Sequence, residues 1–251
     1  MAEPGTACCK LAPVTSSDYT PKGTYTELAG CKAYITGSSP STSKTAIFFV
    51  PDVFGFLPPS LQGADRLASL AGSIVIFPDF FDGEPLGLDV IPADTDEKKA
   101  ALGEFMKTKI GLDENRKKLD AFLKAAKEVY PGVEAWGAVG YCWGGKLVAQ
   151  ASGSETKFKV TGQVHPGRLE LDEARAIEVP HIVLFSKEDG EPKDVEAYGD
   201  VLKEKKQNFV EMYGTMHHGW MAGRAKLDEE ENKKEFERGY QQLGDFFRKN
   251  M

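Results

Sequence analysis

Cys142 stands in the run Gly140-Tyr141-Cys142-Trp143-Gly144-Gly145, which has a glycine two residues to either side of the thiol. A nucleophile on a tight strand-to-helix turn has a strained backbone, and its neighbours at −2 and +2 must be small or they collide. Gly140 and Gly144 satisfy that demand, and Gly145 leaves room for a following helix to pack. A helix starting here would point its N-terminal N–H groups and positive dipole end at the sulfur, which favours the thiolate, the reactive form. The competing reading is a buried structural cysteine at the start of a helix, since free cysteine is often buried and inert.

A cysteine nucleophile needs a base, and the chain has four histidines. His217 and His218 lie together in Met216-His217-His218-Gly219-Trp220. His165 lies at the end of an apolar run, where it could support the site from behind, cap a strand or touch substrate. His181 opens an apolar run and reads as structural. In hydrolases with this type of elbow the chain order is nucleophile, acid, histidine. That order selects His217 or His218 as base, with Glu188 or Asp189, in Ser186-Lys187-Glu188-Asp189-Gly190, as the acid that orients it.

Elements that could position these groups are visible on either side of them. Short apolar runs at Thr45–Val50, Ser73–Phe77, Ala135–Val139, Phe158–Val164, His181–Phe185 and Phe209–Tyr213 suit strands buried on both faces. Helical spacing occupies Leu61–Ala71, Asp96–Lys109, Asp113–Val129, Trp143–Ala151, Asp194–Lys206 and Asp228–Arg248, with Asp96 and Asp113 as expected N-caps. The alternation predicts an α/β fold with a doubly wound, mostly parallel sheet. Gly30 turns a hairpin over Tyr25–Thr36, and Phe81–Thr95, rich in Gly and Pro, reads as a long loop of the kind that covers sites. Residues 1–22 form an N-terminal arm, and 23–251 a single domain.

Further motifs lie in the expected order around the elbow. Pro-Asp-Val-Phe-Gly (51–55), Phe-Pro-Asp-Phe-Phe-Asp-Gly-Glu-Pro (77–85), Gly-Tyr-Cys-Trp-Gly-Gly-Lys (140–146), the Asp189 loop and His218-Gly219-Trp220 together resemble the dienelactone hydrolase (carboxymethylenebutenolidase) family over roughly residues 20–250. Lys22-Gly23 and the region of Cys9 resemble its fungal members. The resemblance implies an α/β-hydrolase fold and hydrolysis of an enol-lactone or related ester through an acyl-cysteine, without metal or cofactor. It assigns Cys142 as nucleophile, Asp189 as acid and His218 as base. The N–H groups of Val53 and Trp143 become the oxyanion hole, and Asp52 the carboxylate that modulates the thiol, where bacterial members carry Glu.

Bacterial members also hold the substrate carboxylate with an arginine whose place falls near Gly83, yet no arginine lies in Phe80–Thr95. Arg224 is the candidate for a second such arginine, after His218. Phe54, Phe81, His165, Trp220 and Arg224 are the expected substrate pocket, with Phe56, Phe80 and Trp143 as further apolar candidates. Alternatives to ester or lactone hydrolysis are a thioester, polyketide-lactone or C–C bond hydrolase, or a hydrolase-like protein that only binds a hydrophobic ligand.

The whole chain narrows the classes. Its 251 residues are 41% hydrophobic and 27% charged, with a net charge of −7. That acidic balance argues against a nucleic-acid or anionic-membrane surface, both of which need Lys/Arg patches. No run approaches the ~18 apolar residues of a membrane span. The expectation is a cytoplasmic protein, monomer or homodimer, acting on a small molecule. The cysteines at 8, 9, 31 and 142 lack paired CxxC spacing, so zinc is not expected. A disulfide from Cys31 to Cys8 or Cys9 is the minor expectation, since a reducing cytosol disfavours it.

Overall fold

The computed structural model describes residues 18–39 and 41–251. Its centre is an eight-stranded sheet in the order β1-β2-β4-β3-β5-β6-β7-β8. The strands are β1 (Thr24–Leu28), β2 (Cys31–Gly37), β3 (Thr45–Val50), β4 (Ile74–Pro78), β5 (Ala135–Tyr141), β6 (Val160–Val164), β7 (His181–Ser186) and β8 (Phe209–Tyr213). β1, β2 and β4 pair antiparallel in sequence along one edge, and all pairings from β4 through β8 are parallel. The central strands β3 to β7 are almost wholly buried, which is why β3, β4, β5 and the middle of β7 read as apolar runs without alternation, while β6 buries the polar Thr161 and Gln163.

Helices α1 (Pro58–Ala71), α2 (Asp96–Thr108), α3 (Leu112–Val129), α4 (Trp143–Gln150), α5 (Leu171–Ala176), α6 (Pro192–Lys203) and α7 (Glu230–Asn250) cover the two faces. One core layer joins Phe48, Trp136 and Phe158 to Phe80, Phe81, Phe122, Cys142 and Trp143. The other joins Phe49, Phe77 and Tyr141 to α1 and α7 through Leu67, Trp220, Tyr240 and Phe247. Where α1 and α7 pack, a Cβ on Gly63 would overlap the hydroxyl of Tyr240, so the two helices approach at a distance only glycine permits.

The expected hairpin, strands and long loop are all present. Three details differ. The α2 N-cap is Thr95, whose side chain accepts from the Lys98 N–H at 3.3 Å, and Asp96 lies in the first turn. Likewise Gly111 precedes α3, which leaves Asp113 inside it. Both aspartates still face the positive helix end, where a carboxylate is stabilised. The short α5 was not expected.

Of the N-terminal arm, residues 18–22 belong to the described region. There Asp65 of α1 accepts hydrogen bonds from the Tyr19 hydroxyl (2.7 Å) and the Lys22 N–H (2.9 Å). Cys31 points its thiol at Asp82, 3.6 Å away. Cys8 and Cys9, the partners weighed for Cys31 in the disfavoured disulfide, lie outside the described residues. Among the described residues no helix is long and apolar enough to cross a membrane.

Candidate active site

Cys142 sits between β5 and α4 with φ 54° and ψ −117°, a left-handed conformation that a non-glycine residue adopts only at a cost of roughly 1–3 kcal/mol. The surrounding backbone holds it there. Its N–H donates to Val164 O at 3.1 Å, and its carbonyl accepts from Gly145 N (3.1 Å) and Gly167 N (3.2 Å). The two glycines are sterically required. A Cβ on Gly140 would run into the Gly144 carbonyl, and one on Gly144 would lie 2.5 Å from both Val50 O and Pro51 O. The elbow is thus wedged against the end of β3. Trp143 is the first residue of α4, so its N–H has no intrahelical acceptor. Its indole N–H donates to Ile110 O at 3.1 Å.

Asp189 follows β7 in a tight turn. Its Oδ1 accepts from the Ser186 hydroxyl at 2.5 Å and its Oδ2 from the Ser186 N–H at 2.7 Å. The same Oδ1 meets His218 Nδ1 at 2.8 Å, and both side chains are buried. A carboxylate accepts, so Nδ1 carries the proton and Nε2 is the basic nitrogen. Burial pushes the Asp189 carboxyl up, while His218 and Ser186 pull it back.

Of the two acids and two histidines left open by chain order, Asp189 and His218 are the pair whose side chains hydrogen-bond. Glu188 accepts from the His218 backbone N–H at 3.3 Å, not from its ring. His217 turns away, its Nε2 at 3.0 Å from Arg224 O. Burial lowers the His217 pKa.

Asp52 follows β3 and is 2% exposed. Its Oδ1 accepts from Phe54 N at 3.0 Å, and its Oδ2 from Gly223 N at 2.9 Å. It thereby ties the loop after β3 to the loop that carries His218. Burial raises its pKa, opposed first by the Phe54 N–H and then by the Arg224 charge, with His218 contributing in the same sense. Arg224 is buried, with its guanidinium 4.9 Å from the Phe54 ring centroid. Val53, between Asp52 and Phe54, accepts from Leu86 N at 2.9 Å, so the long loop is pinned to this segment.

Phe81 packs on Trp143 at 5.4 Å, and Phe80 packs on it at 5.8 Å. These rings, with Phe54, form an apolar wall in the Cys142 layer. Trp220 is not brought to that wall. It is fully buried in the other layer, 4.3 Å from Tyr213 and against Gly239 of α7. Phe56 also lies on that side, 4.6 Å from Phe77. His165 is fully buried, and its ring meets His218 edge-on at 5.1 Å.

Two contributors escaped the sequence reading. Ser186 fixes Asp189 through two hydrogen bonds, and a serine three residues before an acid at a strand end is a legible turn signal. Lys146, 5% exposed, sits one turn into α4. It reaches Arg168 O at 3.0 Å and Glu170 and Glu173 at 2.9 Å, anchoring the segment that Gly167 hooks to Cys142.

With this geometry in hand, comparison is informative. The dienelactone hydrolase family model matches residues 31–251. The chain belongs to the dienelactone hydrolase family. It is therefore a hydrolase of ester or lactone bonds. An uncharacterized AIM2 family protein of Schizosaccharomyces pombe is 33% identical over 225 residues, covering 88% of this chain and 89% of that one. A human carboxymethylenebutenolidase homolog is 26% identical over 208 residues, 81% of each chain. Among solved structures, the dienelactone hydrolase of Anabaena variabilis superposes with a TM-score of 0.63 at 13% identity, covering 91% of this chain and 97% of that one. A Pyrococcus furiosus esterase gives 0.63 at 14% identity, covering 95% and 99%. At such identities these likenesses establish the α/β-hydrolase fold.

Proposed function

We propose that this dienelactone hydrolase family member cleaves a small lactone or ester through an acyl-cysteine intermediate at Cys142. The observation that carries the reading is the buried Asp189–His218 hydrogen bond, which leaves Nε2 as the basic nitrogen, at the same end of the parallel strands as the elbow cysteine. His218 takes the thiol proton as sulfur attacks the carbonyl carbon. It then returns that proton to the departing oxygen. Water next attacks the thioester carbonyl, the C–S bond breaks, and the water's proton passes through His218 to sulfur.

Val53 and Trp143 supply the two backbone N–H groups for the developing oxyanion. Donors of this kind are worth about 2.7–4 kcal/mol each. Asp52 sets the charge beside the thiol and fixes both loops. The aromatic wall of Phe54, Phe81 and Trp143 favours an apolar acyl or alcohol portion. Arg224 is a buried cation 4.9 Å from the Phe54 ring centroid of that wall, and it shares its charge with Asp52. That sharing favours a substrate without a carboxylate of its own. The protein works on this small molecule in the cytoplasm, as monomer or homodimer.

The test is turnover of a dienelactone and of a neutral aryl ester by the protein and by Cys142→Ala. Cysteine-dependent turnover of the ester, with weaker turnover of the anionic dienelactone, is expected. Ester turnover that survives Cys142→Ala would overturn the mechanism, and a preference for the anionic lactone would overturn the substrate reading.

A further inference from the structure

Two histidines are buried on the parallel part of the sheet, and they differ in one respect. His181 has both ring nitrogens paired, Nδ1 with Thr161 Oγ1 at 2.8 Å and Nε2 with Gln163 Oε1 at 3.0 Å. His165 is just as buried, yet neither of its ring nitrogens finds a hydrogen-bond partner in another described residue. A buried polar group left in that state is destabilising, and a phenylalanine would fill the same space without that penalty. The position is also held deliberately. His165 has φ 37°, in the left-handed region, and its N–H donates to Leu184 O at 2.7 Å. The residue before it, Val164, accepts from the Cys142 N–H, and Gly167 two residues later donates to the Cys142 carbonyl. The ring itself lies edge-on to His218, 5.1 Å between centroids.

Burial, reinforced by His218 nearby, holds the His165 pKa well below the ordinary histidine value. The ring is therefore neutral at working pH, with one N–H and one lone pair. A lone pair in this place has a use in the second half of the proposed reaction. The attacking water must give one hydrogen to His218 Nε2 and keep an oxygen lone pair aimed at the thioester carbon. A second acceptor for its other hydrogen fixes it in that pose.

We propose that His165 is that acceptor, holding the hydrolytic water for deacylation of the Cys142 thioester. The inference rests on the acyl-cysteine reading above. In the step, the water oxygen bonds to the acyl carbon and the C–S bond breaks. One water hydrogen passes through His218 to sulfur, and the other stays on the carboxylic acid product. His165 neither gains nor loses a proton.

The experiment is pre-steady-state hydrolysis of p-nitrophenyl acetate by the protein, by His165→Phe and by His165→Gln, with intact-mass detection of acetyl-Cys142. For His165→Phe we expect an undiminished burst of nitrophenolate, a kcat at least tenfold lower, a KM lowered in proportion so that kcat/KM is nearly unchanged, and acetylated protein accumulating. The glutamine variant, whose amide oxygen can accept from water, recovers part of kcat. An unchanged kcat in folded His165→Phe would overturn the proposal. So would a fall of kcat and kcat/KM together without acetyl-enzyme, which marks packing. Should the phenylalanine variant not fold, His165→Met is read by the same criteria. Failure of the unsubstituted protein to form acetyl-Cys142 is a separate result, which overturns the acyl-cysteine reading and this one with it.

Discussion

At the scale of single residues, the site depends on which atom of His218 bears a proton. Asp189 sets this, because an acceptor-only carboxylate opposite Nδ1 forces the proton onto that nitrogen. Asp189→Asn presents an amide that can donate to Nδ1 and stabilise the other tautomer. Its carbonyl oxygen can still accept one of the two Ser186 hydrogen bonds, so the turn survives. The expected outcome is a kcat loss of about 10²–10⁴-fold with KM nearly unchanged, by analogy with the tautomer effect in serine triads. Steady-state kinetics beside a thermal melt would check it, and a wild-type kcat would remove Asp189 from the mechanism.

Elements decide what surrounds those atoms, and the joint between β6 and β7 holds a buried histidine that makes it pH-sensitive. His181 and Thr161 are register partners across it, and Thr161 Oγ1 donates to His181 Nδ1. Protonating that nitrogen destroys the acceptor, and burial takes the His181 pKa down to about 3. In the unfolded chain a histidine titrates near about 6.5. Between these values the unfolded state binds the extra proton, so stability falls as pH drops below about 6.5 and levels off near 3. The slope from this group alone approaches about 1.4 kcal/mol per pH unit. Urea titrations from pH 7 to 4 should show this. A His181→Gln variant, whatever its stability at pH 7, should lose less on acidification. An equal loss in both proteins would assign the acid sensitivity elsewhere.

How far the sequence anticipates these elements depends on their environment. Strands buried on both faces announce themselves as apolar runs, and the long helices by their period. The six residues of α5 span less than two turns and carry no period to read. Thr95 and Asp96 are both good caps, so their order could not be settled by type. At the site, the motif singles out Cys142, chain order narrows the acid to Glu188 or Asp189 and the base to His217 or His218, and only the family resemblance chooses Asp189 and His218. The side of the sheet taken by Trp220 and Phe56 is not legible, because an aromatic side chain says it will be buried without saying on which side. Lys146 was missed for the opposite reason: a lysine in a motif reads as exposed until its two glutamates, more than twenty residues away, are seen beside it.

For the molecule as a whole, the question is how the layers are held over the site. The loop after β4 is fastened to α3 by Lys118, which donates to Phe80 O at 3.0 Å and pairs with Asp82 at 2.7 Å. It is fastened to the segment after β3 by Leu86. Lys118 is partly exposed, so its ion pair contributes under about 1 kcal/mol. Its value lies in placing Phe80 and Phe81 against Trp143. Lys118→Met should therefore leave the melting temperature within a few degrees and lower kcat/KM several-fold through KM. A variant with unchanged KM would show that the wall is positioned by packing alone.

The depth of the site has a kinetic consequence of its own. Cys142 is 2% exposed and His218 1%, with the pinned loop beside them. At that exposure we expect a reagent dissolved in water to meet the sulfur only during an opening. At low concentration an alkylating reagent should modify Cys142 in proportion to its concentration. At high concentration the rate should reach a ceiling, and that ceiling is the opening rate itself. The buried thiol is thus a built-in clock, and the loop fastenings at Lys118 and Leu86 are where one would set it faster or slower.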